Sequence, residues 1–438
     1  MKPVIRVTPP GPKAKAIVRR NDKVQSNSIN HVYPLVIKKA AGVNFEDVDG
    51  NRYLDFNSGI AVMNFGHENP KIANAIYKQS KIETHGAFLD FYEELPVRFS
   101  EELVKLFPGS MKLNRVFLSN SGTESVEAAI KLSRYCTKKK WLASFSGAFH
   151  GRTMGSLSLT YAKKVHREGF DPFLPVVHLP YSNPYRCPVG AKDNCADACI
   201  EEINDILRKN GLSNEIAALF IEPIQGEGGY VVPEEGFIKE IRKICSENEI
   251  LLVDDEVQSG CYRTGKFLAI EHFNVKPDIV CLSKALGGGL PLGATVFNEK
   301  LNTWPPGSHA STFGGNLTAC AAGLEVIKLM EDKKLGPNVI KKGNYIMKFL
   351  KDLQEESRAI GDVRGIGLMI GIEIVKDKIT KEPDGKLRDK IVYKAFERGL
   401  SLLGAGESAI RIAPPLIIAK SDIDYGLEIL SNVIKDVG

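Results

Sequence analysis

Residues 216–223 read IAALFIEP, residues 234–248 read EEGFIKEIRKICSEN, residues 250–257 read ILLVDDEV and residues 277–284 read PDIVCLSK. The first, third and fourth segments are short, nearly continuous apolar runs, which are typical of strands buried on both faces. The second segment carries its apolar residues at helical spacing. Buried strands that alternate with amphipathic helices predict an α/β fold whose central sheet is mostly parallel.

This alternation extends outward from Glu68 to about Cys320. Beyond Cys320 the strand and helix patterns change to those of a smaller α+β domain. Near the N-terminus, VNFEDVDGNRYLDF (43–56) predicts a hairpin because Asp49-Gly50 is a strong turn signal. We predict three parts: an N-terminal arm and hairpin over 1–66 that belongs to the small domain, a large domain over 67–325, and a C-terminal small domain over 326–438.

The composition excludes several classes of protein. The chain has 438 residues, 43% hydrophobic and 25% charged, which excludes disordered and collagen-like proteins. Its 58 basic and 53 acidic residues form no basic stripe, so we expect no nucleic-acid partner. No apolar run approaches the ~18 residues of a membrane span, and residues 1–20 lack the apolar segment of a secretory signal. We therefore expect no membrane association and a cytoplasmic location.

Three of the eight cysteines lie close together in the sequence. Cys187, Cys195 and Cys199 fall within YRCPVGAKDNCADAC (185–199). A metal site is the alternative there, but the spacing fits no standard zinc pattern and the stretch contains no histidine. We expect no metal and interpret these residues as surface thiols on a loop and at the start of a helix.

Ligands of open α/β sheets bind beyond the carboxyl ends of the strands, so the residues that follow each predicted strand are candidates. After RVFLSNS (115–121), the Ser121-x-x-Glu124 pattern predicts a capped helix N-terminus that can bind an anion such as phosphate. Plain capping is the simpler alternative. Glu222 and Glu227 follow another strand and form either an acid–base pair or a solvated loop.

The two remaining strands end in charged residues. Asp254-Asp255-Glu256 (254–256) follows a buried strand, where a carboxylate needs a partner; Mg²⁺ or Ca²⁺ is the alternative, without a supporting ligand loop. Lys284 enters a Gly-rich turn and is either a desolvated nucleophile or a surface lysine.

Pyridoxal phosphate accounts for these strand ends together. Its phosphate needs a helix N-terminus, its aldehyde a lysine, and its pyridinium nitrogen a carboxylate. Competing nucleotide motifs fail, because the chain contains no P-loop. Residues 404–409 match the dinucleotide pattern Gly-x-Gly-x-x-Ala, but Pro414-Pro415 follows where a helix is required, so we interpret the match as accidental.

The motifs resemble those of the class III, or ω-amino acid, aminotransferases of the pyridoxal-phosphate fold type I group, and the resemblance covers nearly the whole chain. Six ordered motifs carry it: NSGTESVEAAIKL (120–132), GAFHGRT (147–153), EPIQGEGG (222–229), DDEVQSG (254–260), SKALGGGLPLGA (283–294) and STFGGN (311–316). One departure is Tyr262-Arg263-Thr264-Gly265, where the family usually has Gly-Arg-Thr-Gly. The departure puts the shape of this loop in doubt.

The resemblance implies a role for each matching residue. Lys284 would form the Schiff base and move the substrate proton, and Asp255 would pair with the ring nitrogen. The other implied cofactor contacts are Gly122 and Thr123 at the phosphate, Phe149 and Val257 on the two ring faces, Gln258 at the ring hydroxyl, His150 and Glu222 nearby, and Thr312 at the phosphate of a neighbouring subunit. The last contact implies a homodimer, or a dimer of dimers, with shared active sites.

The resemblance also implies small-molecule substrates, an amino donor and a 2-oxo acid acceptor. Arg152 would bind the distal carboxylate and Arg411 the α-carboxylate, while Glu227 would pair with Arg411 when the donor has no α-carboxylate. Ile60 is apolar where ornithine aminotransferases carry a tyrosine. This set is closest to the 4-aminobutyrate aminotransferases, with 2-oxoglutarate as acceptor and succinate semialdehyde and glutamate as products.

Several alternatives stay open. Ornithine, acetylornithine and lysine aminotransferases belong to the same family, as do pyridoxal-phosphate amino-acid racemases. A non-catalytic binding protein would not need the pair of Lys284 and Asp255.

Overall fold

The computed structural model describes residues 2–171 and 173–437. Its strands are β1 Ile37–Ala41, β2 Asn44–Asp47, β3 Arg52–Asp55, β4 Arg115–Ser119, β5 Trp141–Phe145, β6 Val176–Leu179, β7 Ile216–Ile221, β8 Leu251–Asp255, β9 Ile279–Leu282, β10 Gly293–Phe297, β11 Ile360–Ile366, β12 Met369–Ile374, β13 Leu400–Ser401, β14 Leu403–Ala405 and β15 Ala409–Ile412. Its helices are α1 Pro12–Val24, α2 Ser58–Ala61, α3 Pro70–Ser80, α4 Glu94–Lys105, α5 Gly122–Thr137, α6 Met154–Leu159, α7 Cys195–Lys209, α8 Phe237–Glu247, α9 Leu317–Met330, α10 Leu335–Glu356, α11 Gly385–Glu397 and α12 Lys420–Val437. Within the described ranges, no helix combines the length and the apolar character that a membrane span requires.

The unit Pro70–Asn338 contains a seven-stranded sheet in the order β4-β10-β9-β8-β7-β5-β6. Neighbouring strands from β9 to β6 are parallel, whereas β10 runs antiparallel to both β4 and β9. All six residues of β7 are buried, as the apolar run predicts for a strand covered on both faces. The predicted α/β class with a mostly parallel sheet is confirmed.

The helices beside this sheet bury one face each. In α8, the buried residues Phe237, Ile241 and Ile244 recur at helical spacing, so the apolar face of the helix packs inward. The core of the unit includes Ala218, Phe220, Val253 and Ile279 from the central strands. This packing fixes the carboxyl ends of β7, β8 and β9 at one edge of the sheet.

The second unit consists of Met1–Asn69 and Val339–Gly438. It holds two four-stranded sheets, in the orders β1-β2-β3-β13 and β11-β12-β15-β14. The predicted hairpin is confirmed, because β2 and β3 pair antiparallel around Gly50, whose φ is +88°. The N-terminal arm also contains the helix α1, which sequence analysis did not predict.

Residues 404–409 do not open a helix. They run from the end of β14 through a turn to the start of β15, and the two strands pair antiparallel, so the dinucleotide pattern in this stretch is accidental, as predicted.

Candidate active site

Parallel pairing brings three charged side chains to the same edge of the sheet. Ile221 pairs with Asp254 and Asp255 pairs with Cys281, so the residues directly beyond these pairs leave the sheet together. Glu222 and Asp255 are buried, with 6% and 4% of their surfaces exposed. Lys284 follows β9 and is half-buried.

Asp255 is held in place by two hydrogen bonds. Its Oδ2 lies 2.7 Å from His150 Nδ1, and its Oδ1 accepts a hydrogen bond from the Val257 N–H at 3.1 Å. The backbone N–H of His150 in turn donates to Thr160 Oγ1 at 2.9 Å. His150, whose part was vague from the sequence, therefore orients the carboxylate of Asp255.

Glu222 connects two loops at this edge. Its Oε1 accepts the Phe149 N–H and its Oε2 accepts the Gly226 N–H, both at 2.9 Å. Burial raises the pKa of Glu222 to about 7, an effect that the nearby Asp255 increases and that His150 and the two amides oppose. In this arrangement Glu222 positions Phe149, whereas the sequence placed it among the cofactor contacts.

The N-terminus of α5 has a side-chain cap from Ser121 but not the reciprocal bond of a full capping box. Ser121 Oγ accepts the Glu124 N–H at 3.3 Å, but the Glu124 carboxylate accepts the N–H of Asn120 at 2.6 Å. The predicted capping box is therefore half-formed. The first-turn amides of a helix have no intrahelical acceptor, so this end of α5 can bind an anion.

Gly122 lets this helix end approach Val257 closely. A Cβ built on Gly122 would lie 2.7 Å from Val257 Cγ1, closer than real carbon contacts allow. The hydroxyl of the next residue, Thr123, lies 2.5 Å from Ser156 Oγ and 2.8 Å from Thr153 Oγ1. The N-terminus of α5 is thus fixed by contacts on both sides.

Lys284 has a strained backbone. Its φ of +44° is in the left-handed region, which residues other than glycine rarely adopt. Such strain is common at functional sites, because the surrounding structure must hold it. The neighbouring Ser283 hydroxyl donates to the Leu292 carbonyl at 2.8 Å, which fixes the start of this turn.

Gln258 Oε1 and His150 Nε2 are buried at this edge, and neither atom has a hydrogen-bond partner among the described residues. A buried polar atom without a partner inside the protein is expected to meet a ligand or water. Pyridoxal phosphate fits the set of groups present, because the set offers an anion site at α5, the carboxylate of Asp255, the amide of Gln258 and the amine of Lys284.

Comparisons with known proteins agree with this fit. The family profile described as "Aminotransferase class-III" matches residues 25–434. The chain belongs to the class III aminotransferases. It is 39% identical to the alanine/serine racemase of Pyrococcus horikoshii, over 99% of this chain and 93% of that protein. It is 38% identical to the 4-aminobutyrate aminotransferase of Mycobacterium leprae, over 98% and 97%.

A solved amine transaminase from an uncultivated Pseudomonas species, in its PLP-bound form, has the same fold. It is 29% identical with a TM-score of 0.86, over 92% of this chain and 95% of that one. Pyridoxal phosphate is the cofactor of this class III aminotransferase, and the predicted fold type I is confirmed.

The substrate-binding candidates of this class III aminotransferase fall in both units. In the unit with the seven-stranded sheet, Arg152 is exposed and its Cζ lies 5.7 Å from the centre of the Phe149 ring. Burial lowers the pKa of His166; the charge of Arg152 lowers it further, whereas Glu227 raises it. Arg152 and Glu227 are therefore charged neighbours of one histidine, whose ring lies 5.5 Å from that of Phe149.

The three other candidates are Thr312, Ile60 and Arg411. Thr312 is exposed, next to Ser311, whose hydroxyl accepts a hydrogen bond from Asn120 at 3.0 Å. Ile60 and Arg411 belong to the second unit. There, Ile60 is exposed with φ of +65°, and Arg411 is 5% exposed on β15, opposite Gly371.

The loop that departs from the family motif keeps a glycine-like backbone. Tyr262, at the position of the usual glycine, has φ of +63°, and Cys261 has φ of +54°. The Tyr262 ring lies 6.4 Å from that of Phe267, a contact that can offset part of the strain. The substitution has therefore not forced this backbone out of the left-handed region.

One sequence interpretation needs correction. Cys195 and Cys199 are 4% and 0% exposed, so they are buried and not surface thiols, because the first turns of α7 pack inward. Asp254 is fully buried at the end of β8, and burial, with repulsion from Glu256 and Asp255, raises its pKa well above its ordinary value.

Sequence reasoning missed the hydroxyls that support the site. Ser156 contacts Thr123, and Thr160 receives the His150 N–H. Both lie just after the GAFHGRT motif, which was the one available signal. Their roles depend on how α6 packs beside α5, and residue type alone does not reveal this.

Proposed function

We propose that the protein transfers the amino group of 4-aminobutyrate to 2-oxoglutarate and releases succinate semialdehyde and glutamate. The observation that carries this proposal is the position of Arg152, whose guanidinium lies beside the Phe149 ring at an exposed edge of the site. A guanidinium there can bind, through two parallel hydrogen bonds, the carboxylate at the far end of an ω-amino acid.

Each side chain of the cofactor pocket has a separate task in the reaction. When bound, pyridoxal phosphate would supply an aldehyde for the substrate amino group and an electron sink for the carbon that loses its proton. Asp255, oriented by His150, would hold a proton at the ring nitrogen, because an adjacent anion favours the protonated form. Lys284 Nζ would carry the proton from the substrate carbon to the cofactor carbon C4′.

The remaining pocket residues would hold the cofactor in place and keep water away from its ring. Gly122 and Thr123 would bind the phosphate through their amides, and Gln258 would donate to or accept from the ring hydroxyl. Phe149 and Val257 would cover the two faces of the ring and keep water away from it. Glu222 acts through Phe149 and is therefore a positioning residue.

A second arginine would bind the substrates of only one of the two half-reactions. Arg411 would bind the α-carboxylate of 2-oxoglutarate and glutamate, which 4-aminobutyrate does not possess. Glu227 would neutralise Arg411 when the ω-amino donor is bound. The apolar Ile60 favours 4-aminobutyrate over ornithine, whose α-amino group needs a polar partner.

Thr312 would contact the phosphate bound by a neighbouring copy of the chain. Its exposure and its position beside Ser311 support this assignment. The proposal therefore includes a homodimer, or a dimer of dimers, that builds each active site from two copies, and a cytosolic location.

A racemase is the second candidate, because the alanine/serine racemase and the 4-aminobutyrate aminotransferase are similar to this chain to nearly the same degree. A racemase of neutral amino acids has no need of a distal-carboxylate site, so Arg152 favours transamination. Ornithine, acetylornithine and lysine are the alternative donors.

The decisive experiment offers the purified holoenzyme 4-aminobutyrate with 2-oxoglutarate and measures glutamate. Parallel reactions contain the alternative donors, or L-alanine alone with chiral detection of D-alanine. Glutamate formed fastest from 4-aminobutyrate supports the proposal. Rapid D-alanine formation without any 2-oxo acid would replace it with racemisation.

The Arg152→Lys variant tests the part of the site that carries the proposal. Lysine keeps the charge but loses the planar fork, so kcat/KM for 4-aminobutyrate and for 2-oxoglutarate should both fall about 10- to 100-fold, the equivalent of ~1.5–3 kcal/mol. Arg208→Lys is the matched control, because Arg208 is exposed on α7 and pairs with Asp205 there. Unchanged kcat/KM in Arg152→Lys would contradict the assigned role.

A further inference from the structure

Three thiols from one loop and the helix that follows it converge outside the cofactor pocket. Cys187 lies in the loop after β6, whereas Cys195 and Cys199 lie at the start of α7. Their sulfur atoms all lie within 4.8 Å of one another, with 2.6 Å between Cys187 Sγ and Cys195 Sγ and 3.8 Å between Cys195 Sγ and Cys199 Sγ. We refer to these three residues as the thiol cluster.

The loop around Cys187 is shaped to stabilise a thiolate. Residues 187–190 form a turn in which the Gly190 N–H donates to the Cys187 carbonyl at 3.1 Å, with a Gly190 φ of +77°. The amides of Val189 and Ala191 are directed at the Cys187 sulfur, which also meets the thiol of Cys195. Backbone N–H groups directed at sulfur are a usual feature of metal-binding cysteine loops.

The two helical thiols present a matching pair of ligands. Cys195 and Cys199 are four residues apart, which places them on one face of α7, and they lie in its first turns, where the helix dipole favours negative charge. The competing anion is Glu234, whose carboxylate accepts the Ala196 N–H at 2.7 Å.

We propose that the thiol cluster binds one Zn²⁺ ion. Thiolates are ligands that Zn²⁺ prefers, and a tetrahedral ion with Zn–S bonds of about 2.3 Å separates its sulfurs by about 3.8 Å. Cys195 Sγ and Cys199 Sγ lie at that distance, and Cys187 Sγ, which is 2.6 Å from Cys195 Sγ, would move outward by about 1 Å to match it. On binding, each of the three thiols releases its proton to solvent and forms one Zn–S bond, with no change of oxidation state. Water completes the four ligands beside the half-buried Cys187.

The site would fix the crossover between β6 and α7. Asn183 ties its two ends together, because its carbonyl accepts from Cys195 Sγ at 3.6 Å and its Oδ1 accepts the N–H groups of Tyr185 and Arg186 at 3.2 Å. In the same segment, the Tyr181 hydroxyl donates to the carbonyls of Glu222 and Pro223 at 3.1 Å. Metal binding would thereby stabilise the segment that supports the Glu222 loop.

Metal analysis of the full-length, tag-free holoenzyme tests the proposal. We expect about one zinc per chain after purification under reducing conditions, or after exposure to Zn²⁺ and removal of the excess. Replacement by Co²⁺ should give the visible absorption bands of a tetrahedral cobalt–thiolate centre. These bands avoid the near-ultraviolet absorption of the cofactor.

Variants distinguish the cluster from other metal-binding groups. Cys187→Ser, at the most accessible position of the three, should lose most of the zinc and the cobalt bands and should unfold at a lower temperature. Cys136→Ser changes a half-buried thiol outside the cluster and should keep both signals. Chelation should lower the unfolding temperature of the wild-type protein and of Cys136→Ser, but not that of Cys187→Ser.

Three results would overturn the assignment. They are a reduced wild-type protein that binds neither Zn²⁺ nor Co²⁺, equal zinc content in Cys187→Ser and wild type, and a disulfide between Cys187 and Cys195 in peptide maps of the freshly purified protein. The last result would make the cluster a redox pair with a third thiol.

Discussion

The contact between Gly122 and Val257 makes cofactor affinity sensitive to a single methyl group. A Cβ on Gly122 would lie 2.7 Å from Val257 Cγ1 and 3.0 Å from Cγ2, whereas carbon atoms in contact prefer about 3.5–4.0 Å. In Gly122→Ala, either Val257 or the N-terminus of α5 must therefore move by about 1 Å. Val257 is β-branched and its N–H is bonded to Asp255, so it retreats poorly and the helix end should move.

Overpacking of this kind costs about 1–3 kcal/mol. Gly122 is the first residue of α5, so the protein without cofactor can relieve the contact by shifting the helix end, and the cost arises when pyridoxal phosphate needs the amides in their original place. The displaced amides of Gly122 and Thr123 are the groups that we expect to bind phosphate. The dissociation constant for pyridoxal phosphate should therefore rise about 5- to 150-fold.

The assay is a spectroscopic titration of the apoprotein with pyridoxal phosphate, combined with thermal unfolding of the apoprotein. Val257→Ala alone should lose some affinity because it uncovers one face of the ring, but adding Gly122→Ala to it should cost far less than in the wild type, because the two methyl groups in the way are gone. Gly109→Ala is the matched control, since a Cβ there meets no atom within 4 Å. Unchanged affinity in Gly122→Ala, or an equal loss of affinity on adding Gly122→Ala to the wild type and to Val257→Ala, would refute this reasoning.

Two further predictions concern the acids at the end of β8, Asp255 and Glu256. Asp255→Asn should keep the cofactor bound but lower kcat about 10- to 1000-fold, because an adjacent anion raises the pKa of a protonated nitrogen by about 1–3 units; near-normal turnover at full cofactor occupancy would count against the role of Asp255. Burial raises the pKa of Glu256 from 4.5 to about 8, so the folded protein keeps a proton that the unfolded chain loses, and the free energy of unfolding falls as pH rises through that window. Glu256→Gln should reduce this pH dependence, measured by urea unfolding at several pH values, and an unchanged dependence would show that another group causes it.

Much of the fold could be predicted because strands and helices leave local patterns. The apolar run of β7 and the helical spacing of α8 each occupy fewer than about 15 consecutive residues, a length over which periodicity is readable. The reversed direction of β10 could not be predicted, because a short buried strand has the same apolar pattern in either orientation. The helix α1 was missed because most of its residues are polar and exposed.

By itself, the sequence determined the chemistry available to this protein. A lysine, a carboxylate and a helix N-terminus follow buried strands, and parallel sheets collect strand ends at one edge. Only the tertiary structure decided how side chains distant in the sequence meet. His150 contacts Asp255 across 105 positions, and the Phe149 N–H donates to the Glu222 carboxylate across 73 positions. Such contacts depend on the packing of whole elements, whereas a sequence pattern reports only the periodicity of one element at a time.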